Sequence, residues 1–152
     1  MISILFICHG NICRSPMAEF MMKDMVKKAG REEEFLIASA ATSAEEIWNG
    51  VGNPVYPPAR RKLAQHGISC AGKKAVQLTR ADYEKYDYLL GMDGRNISNM
   101  MRLFGSDPEG KVFRLLDFSD DPRDIADPWY TGDFDTTYND LLEGCRAFLK
   151  TV

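Results

Sequence analysis

The chain opens on an unbroken apolar run, "ISILFI", turns polar over the eight residues "CHGNICRS", and then places Met17, Met21 and Met25 at helical spacing. A short continuous apolar run reads as a buried strand, and the change to a period near 3.6 reads as a helix, here from Pro16 to about Ala29. Ser15 suits the N-cap and Pro16 the first turn, while the methionine face suits core packing. A second strand is expected near "EFLIAS". From about Thr42 to Pro58 the pattern dissolves into a polar, Gly/Pro-rich stretch carrying Trp48 and Tyr56, too long for a simple connection and therefore either functional or mobile. A helix from about Ala59 to His66 follows, with Gly67 placed for a left-handed C-cap and His66 at the negative end of the helix dipole. "YDYLLGM" reads as a third strand and "DGRNISNMMRLFG" as a helix capped by Asp93. "KVFRLL" reads as a fourth strand, and the polar loop "DFSDDPRDIADPWYTGD" leads into a last helix from about Phe134 to Leu149.

Four strands alternating with helices predict an α/β protein: a single open, doubly wound, four-stranded parallel sheet with helices on both faces, the three-layer flavodoxin-like or Rossmann-like arrangement. Ligands in such sheets bind beyond the carboxyl ends of the strands, where Cys8 to Ser15 must lie. The 152 residues suit one domain spanning the whole chain. A net charge of -3 argues against nucleic-acid and membrane partners. The N-terminus lacks the basic region, apolar stretch and cleavage site of a secretory signal, and no apolar run approaches a membrane span, so the expected compartment is the cytoplasm. There Cys8, Cys13, Cys70 and Cys145, too few and too irregularly spaced for a disulfide framework, should be thiols. Zinc at Cys8, His9 and Cys13 would lack a complete ligand set, so neither a metal nor another cofactor is expected.

The polar octet carries the chemistry. A strand, a tight loop with Gly10 and Asn11, and a helix start turn successive backbone N–H groups toward one centre, making Cys8, His9, Gly10, Asn11, Ile12, Cys13, Arg14 and Ser15 a cradle for phosphate. A nucleotide-binding loop would need a Lys after its second Gly, whereas this loop carries Arg14, whose planar fork grips two oxygens of a tetrahedral anion. At the mouth of the cradle the helix dipole, the amides and Arg14 all favour Cys8 as thiolate, a nucleophile at neutral pH. In-line attack on a phosphate monoester would give a phosphocysteine, with Arg14 and the amides stabilising the equatorial oxygens and Ser15 donating to the sulfur. The acid that protonates the leaving oxygen is sought in "DPWY": Asp127, with Trp129 and Tyr130 able to wall a pocket for an aromatic leaving group. Standing alone, Asp127 is also an ordinary turn residue before a proline.

Cysteine, five residues, arginine and serine near the N-terminus, then "PMAE" and, about 110 residues on, "DPWY" resemble the low-molecular-weight protein tyrosine phosphatases over nearly the whole chain. The resemblance implies Cys8 as nucleophile, Arg14 as phosphate clamp, Ser15 as thiolate stabiliser and Asp127 as general acid. Its substrates would be tyrosine-phosphorylated proteins or peptides and small aryl phosphates, acted on by a monomer or weak dimer without metal. It further implies a left-handed Asn11 held by a network with Ser15, Ser39 and His66, although a plain helix-capping role suits His66 equally. Cys13 matches a loop cysteine that forms a reversible disulfide with the nucleophile, or is a plain buried thiol. Trp48 resembles the aromatic pocket wall, with Tyr56 as a rival because the loop "SAEEIWNGVGNPVYPPAR" is longer than usual and "YPPAR" replaces a commoner Asp-Pro-Arg. His9 stands where many members carry a small or apolar residue. A protein arginine phosphatase on the same scaffold would carry threonine where Ile12 stands; an arsenate reductase would need a partner for Cys70; a phosphoprotein-binding module would not need Cys8, Ser15 and Asp127 together.

Overall fold

The computed structural model describes all 152 residues. In chain order they form β1 (Ile2–Cys8), α1 (Arg14–Lys28), β2 (Phe35–Ala41), the two short strands β3 (Ile47–Trp48) and β4 (Val51–Gly52), α2 (Pro57–Gln65), α3 (Asp82–Lys85), β5 (Tyr88–Gly91), α4 (Gly94–Phe104), β6 (Val112–Arg114), α5 (Pro128–Thr131) and α6 (Phe134–Leu149). The opening run is apolar at successive positions because β1 is covered on both faces. Ile4, Phe6 and Cys8 pack with Met17, Met21 and Phe148 on one side, whereas Leu5 and Ile7 pack with Tyr83, Leu89 and Met100 on the other.

The parallel sheet has the order β2-β1-β5-β6. The chain steps from β1 outward to β2 and then crosses to the far side, so its direction of winding reverses between β1 and β5. A crevice opens there at the carboxyl ends, and Cys8, level with Ala41 of β2, stands at its edge.

Several local expectations change. Helix α1 begins at Arg14 after Cys13, with no side-chain cap, so Ser15 lies inside the first turn and its hydroxyl turns toward the loop instead of capping. Strand β6 stops at Arg114 because Leu115–Phe118 tighten into a 3-10 turn that buries Leu115 and Leu116. Within the long polar stretch Asn49 and Gly50, both at positive φ, make the two-residue turn of a small hairpin. Its signal was the Asn-Gly pair. The four-residue helices α3 and α5 are too short to produce a periodic pattern. Asp93 caps α4 as expected: its Oδ1 accepts the Asn96 N–H at 2.8 Å, and Asn96 Oδ1 accepts the Asp93 N–H at 3.2 Å. Gly67 adopts φ +73° just beyond α2, and α6 runs over the expected residues. No helix is long and apolar enough to cross a membrane.

Gly144 lets α6 close on the 3-10 turn, because a Cβ there would stand 2.5 Å from Leu115 Cγ. Gly144→Ala should therefore lower the melting temperature, since overpacking costs about 1–3 kcal/mol against the ~1 kcal/mol helix-propensity gain. In a double-mutant cycle Gly144→Ala should cost less in a Leu115→Ala background than in the parent, even though Leu115→Ala is itself destabilising; a Gly144→Ala chain more stable than the parent would contradict this packing.

Candidate active site

Beyond β1 the loop turns back on itself through Asn11, which is 1% exposed and adopts φ +58°. A left-handed conformation costs a non-glycine residue roughly 1–2 kcal/mol. The Asn11 side chain offsets that cost by satisfying three partners: Nδ2 donates to Ser15 Oγ at 2.7 Å and to Ser39 Oγ at 2.9 Å, and Oδ1 accepts the Val76 N–H at 3.0 Å. The resulting turn aims the Asn11 N–H at Cys8 Sγ, 3.3 Å away, and brings Ser15 Oγ to 2.9 Å from the same sulfur. Because Ser15 Oγ already accepts from Asn11, its own hydrogen is free to point at the sulfur, the arrangement a thiolate requires.

The support extends beneath the loop. Ser39 Oγ donates to Glu19 Oε1 at 2.5 Å, and Glu19 Oε2 accepts from Lys23 at 2.6 Å. Lys73 Nζ donates to Ser39 O at 3.1 Å and lies 3.6 Å from Glu19. Burial pushes the Lys73 pKa below its ordinary value, with Glu19 pulling the other way. Sequence reasoning missed both residues, although Ser15, Glu19 and Lys23 follow one another at four-residue spacing and so share a helix face. His66 lies outside this network. It stacks on Tyr138 with ring centroids 3.9 Å apart, because the end of α2 packs against α6.

Arg14 enters from the first residue of α1 with only 3% of its side chain exposed. Its Nη1 donates to Asp93 Oδ2 at 2.7 Å and to the Ile125 carbonyl at 2.8 Å, and Nη2 lies 3.5 Å from Asp127 Oδ2. Burial opposes the guanidinium charge, but Cys8, Asp93 and Asp127 outweigh it and raise the Arg14 pKa above its ordinary value. Asp93, read from sequence only as a cap, thus gives one oxygen to the helix and the other to Arg14. Asp127 divides its oxygens in the same way, Oδ1 capping α5 through the Trp129 N–H at 3.0 Å and Oδ2 facing Arg14.

These groups line a pocket of about 120 Å³, with Cys8, His9, Gly10, Ile12, Cys13 and Arg14 from the loop, Asp127, Trp129 and Tyr130 from the start of α5, and Glu45 and Glu46 from the approach to β3. The two glutamates were not foreseen; in sequence they look like any solvated pair. Glu45 meets His9 Nε2 at 3.1 Å and Glu46 accepts from Asn53 at 2.7 Å. Trp48 is corrected: it stands outside the lining, whereas Tyr130, equally exposed, lies within it. Strand alternation explains this, since Ile47 turns inward against Ile12, Cys13 and Ala75 and sends its neighbour outward. Tyr56 instead supports the pocket indirectly, its ring centroid 4.8 Å from that of Trp129. All four cysteines are free, and burial first, then the neighbouring Cys8, pushes the Cys13 thiol pKa far up.

Residues 3–152 match the family model described as low molecular weight phosphotyrosine protein phosphatase. The chain is 36% identical to a Bacillus subtilis low molecular weight protein-tyrosine-phosphatase, covering 100% of this chain and 96% of the relative. It is 37% identical to the human low molecular weight phosphotyrosine protein phosphatase, with 97% and 94% covered. The crystal structure of that B. subtilis protein, YfkJ, superposes with a TM-score of 0.93 at 36% identity, covering 99% of this chain and 94% of the other. A low molecular weight protein tyrosine phosphatase from Streptococcus pyogenes gives 0.87 at 34% identity, with 100% and 93% covered.

The double duty of Asp93 separates two variants. Asp93→Ala loses both cap and ion pair and should destabilise the chain by at least ~2 kcal/mol in urea unfolding, whereas Asp93→Asn retains a capping oxygen and should lose about 1 kcal/mol less. Equal losses would show that the cap and the Arg14 contact are not separable in this way.

Proposed function

The chain belongs to the low molecular weight phosphotyrosine protein phosphatases, a family of cysteine-dependent hydrolases, and from that membership we propose that Cys8 is the nucleophile, Arg14 the phosphate clamp, Ser15 the thiolate stabiliser and Asp127 the general acid. One observation carries this assignment: Cys8, Arg14 and Asp127 line a single pocket. Asp93 and Ile125 use Nη1 of Arg14, and the Nε–Nη2 edge keeps one long hydrogen bond, from Nη2 to Asp127 at 3.5 Å, which leaves that edge able to take two phosphate oxygens.

In the first step the Cys8 thiolate attacks phosphorus in line; the S–P bond forms as the P–O bond to the tyrosine oxygen breaks, and Asp127 delivers its proton to that oxygen. Arg14 and the loop amides stabilise the equatorial oxygens. In the second, the Asp127 carboxylate takes a proton from water as the water oxygen bonds to phosphorus. The S–P bond breaks, phosphate leaves, and Ser15 steadies the departing thiolate. The amides of His9, Gly10, Ile12 and Cys13 complete the cradle around Asn11, with Asn11 and Ser39 as its support. Cys13 is the reversible disulfide partner of Cys8 under oxidation. The substrates are tyrosine-phosphorylated proteins or peptides and small aryl phosphates, met by a cytoplasmic monomer or weak dimer.

Ile12 and Trp129, the latter backed by Tyr56, favour an aromatic leaving group. Glu45 and Glu46 in the same lining favour a cation and keep a second reading alive, a phosphoarginine substrate. Phosphotyrosine and phosphoarginine offered at equal concentration distinguish the two, and phosphotyrosine should be hydrolysed faster. Against para-nitrophenyl phosphate, Cys8→Ser and Arg14→Ala should be nearly inactive, while Asp127→Ala should fall by about 10²–10⁴ in kcat. Unaltered turnover by Cys8→Ser would rule out the covalent route.

A further inference from the structure

Beside the catalytic pocket lies a second groove of about 220 Å³. It shares His9, Arg14, Asp127 and Tyr130 with the pocket and is closed on its far side by Asp93, Arg95 and Asn96. We infer that this groove is a subsite for the carboxylate of an acidic side chain flanking the phosphotyrosine, received by Arg95 and Asn96. The inference rests on the phosphotyrosine reading and adds a sequence preference to it.

The charged groups around the groove are committed elsewhere, with one exception. Arg14 and Asp93 are paired at 2.7 Å, Asp127 holds the Trp129 N–H and faces Arg14, and His9 is turned to Glu45 at 3.1 Å. Arg95, exposed at the second residue of α4, makes no ion pair and no side-chain hydrogen bond. Beside it Asn96 is only 1% exposed. Its Oδ1 accepts the Met92 and Asp93 N–H groups at 2.9 and 3.2 Å, but its Nδ2 has no acceptor in the protein. The one buried side-chain polar atom without a partner is Thr42 Oγ1, so Asn96 Nδ2 is open to solvent. Lining the groove beside an unpaired guanidinium, it offers a second donor, and two donors so placed favour an anionic acceptor. Asp93 and Asp127 line the same groove and disfavour a dianion, which selects a carboxylate over a second phosphate. The preference is one-sided, because Glu45 and Glu46 line the pocket but not the groove and repel an acidic residue leaving the pocket on their side.

The test is kcat/KM at low ionic strength for phosphotyrosine peptides carrying one Glu, Gln or Lys at successive positions on either side, with para-nitrophenyl phosphate as a substrate lacking flanks. For the wild-type chain, Glu should exceed Gln by about 3–10-fold on one side only, and added salt should shrink the ratio. In Arg95→Gln the ratio should fall close to one, and in Arg95→Glu Lys should become the favoured neighbour. Ratios taken within each variant cancel any general loss of activity. A Glu/Gln ratio near one at every position in a wild-type enzyme that turns over para-nitrophenyl phosphate overturns the subsite and leaves the phosphatase reading standing. A preference that survives Arg95→Gln overturns it too. No turnover of any substrate overturns both readings together.

Discussion

The conformation of one residue, Asn11, governs the geometry of the site. Held left-handed by bonds to Ser15, Ser39 and Val76, it forces the chain between β1 and α1 to curl back over the sulfur it has just left. Were Asn11 to relax, its amide would swing away from Cys8 and Ser15 would lose the partner that orients its hydroxyl. The strain is therefore stored where it shapes the cradle, and the packed sheet beneath supplies the rigidity that maintains it.

The same economy runs through the carboxylates. Asp93 and Asp127 each spend one oxygen on the first turn of a helix and one on Arg14, so the placement of α4 and α5 and the aim of the guanidinium are set together. In the proposed role of clamp, a guanidinium held this way would need little reorganisation when an anion arrives, which is the condition for electrostatic stabilisation of a transition state. Glu19 and Lys73 add a buried pair on the opposite side of the loop. Their value lies in orientation, because a buried ion pair contributes little net stability after desolvation.

Much of this was legible in the chain itself. The two-sided burial of β1 appears as an unbroken apolar run, the α6 boundaries follow from helical spacing, and Asp93 announces a cap. Cys8, Arg14 and Ser15 were legible because chemistry and local structure coincide within eight residues. What escaped depends on contacts between distant segments. Glu19 is an unremarkable helix residue until β2 brings Ser39 to it, and Glu45 and Glu46 become pocket residues only when the Asn49-Gly50 turn folds their segment back over Gly10. Trp48 was misplaced for a related reason, since strand alternation beside Ile47 decides where it goes. His66 keeps the helix-end position read from sequence and lacks only the network contact, its ring being taken by Tyr138.

The central claim is that the sulfur of Cys8 carries the phosphoryl group between the two steps. Rapid acid quench of the Asp127→Ala chain during turnover of an aryl phosphate, followed by mass spectrometry of its peptides, tests this directly. The account predicts one phosphoryl adduct, on the peptide containing Cys8 and on that sulfur. An adduct on another side chain, or none while phosphate release continues, would contradict it.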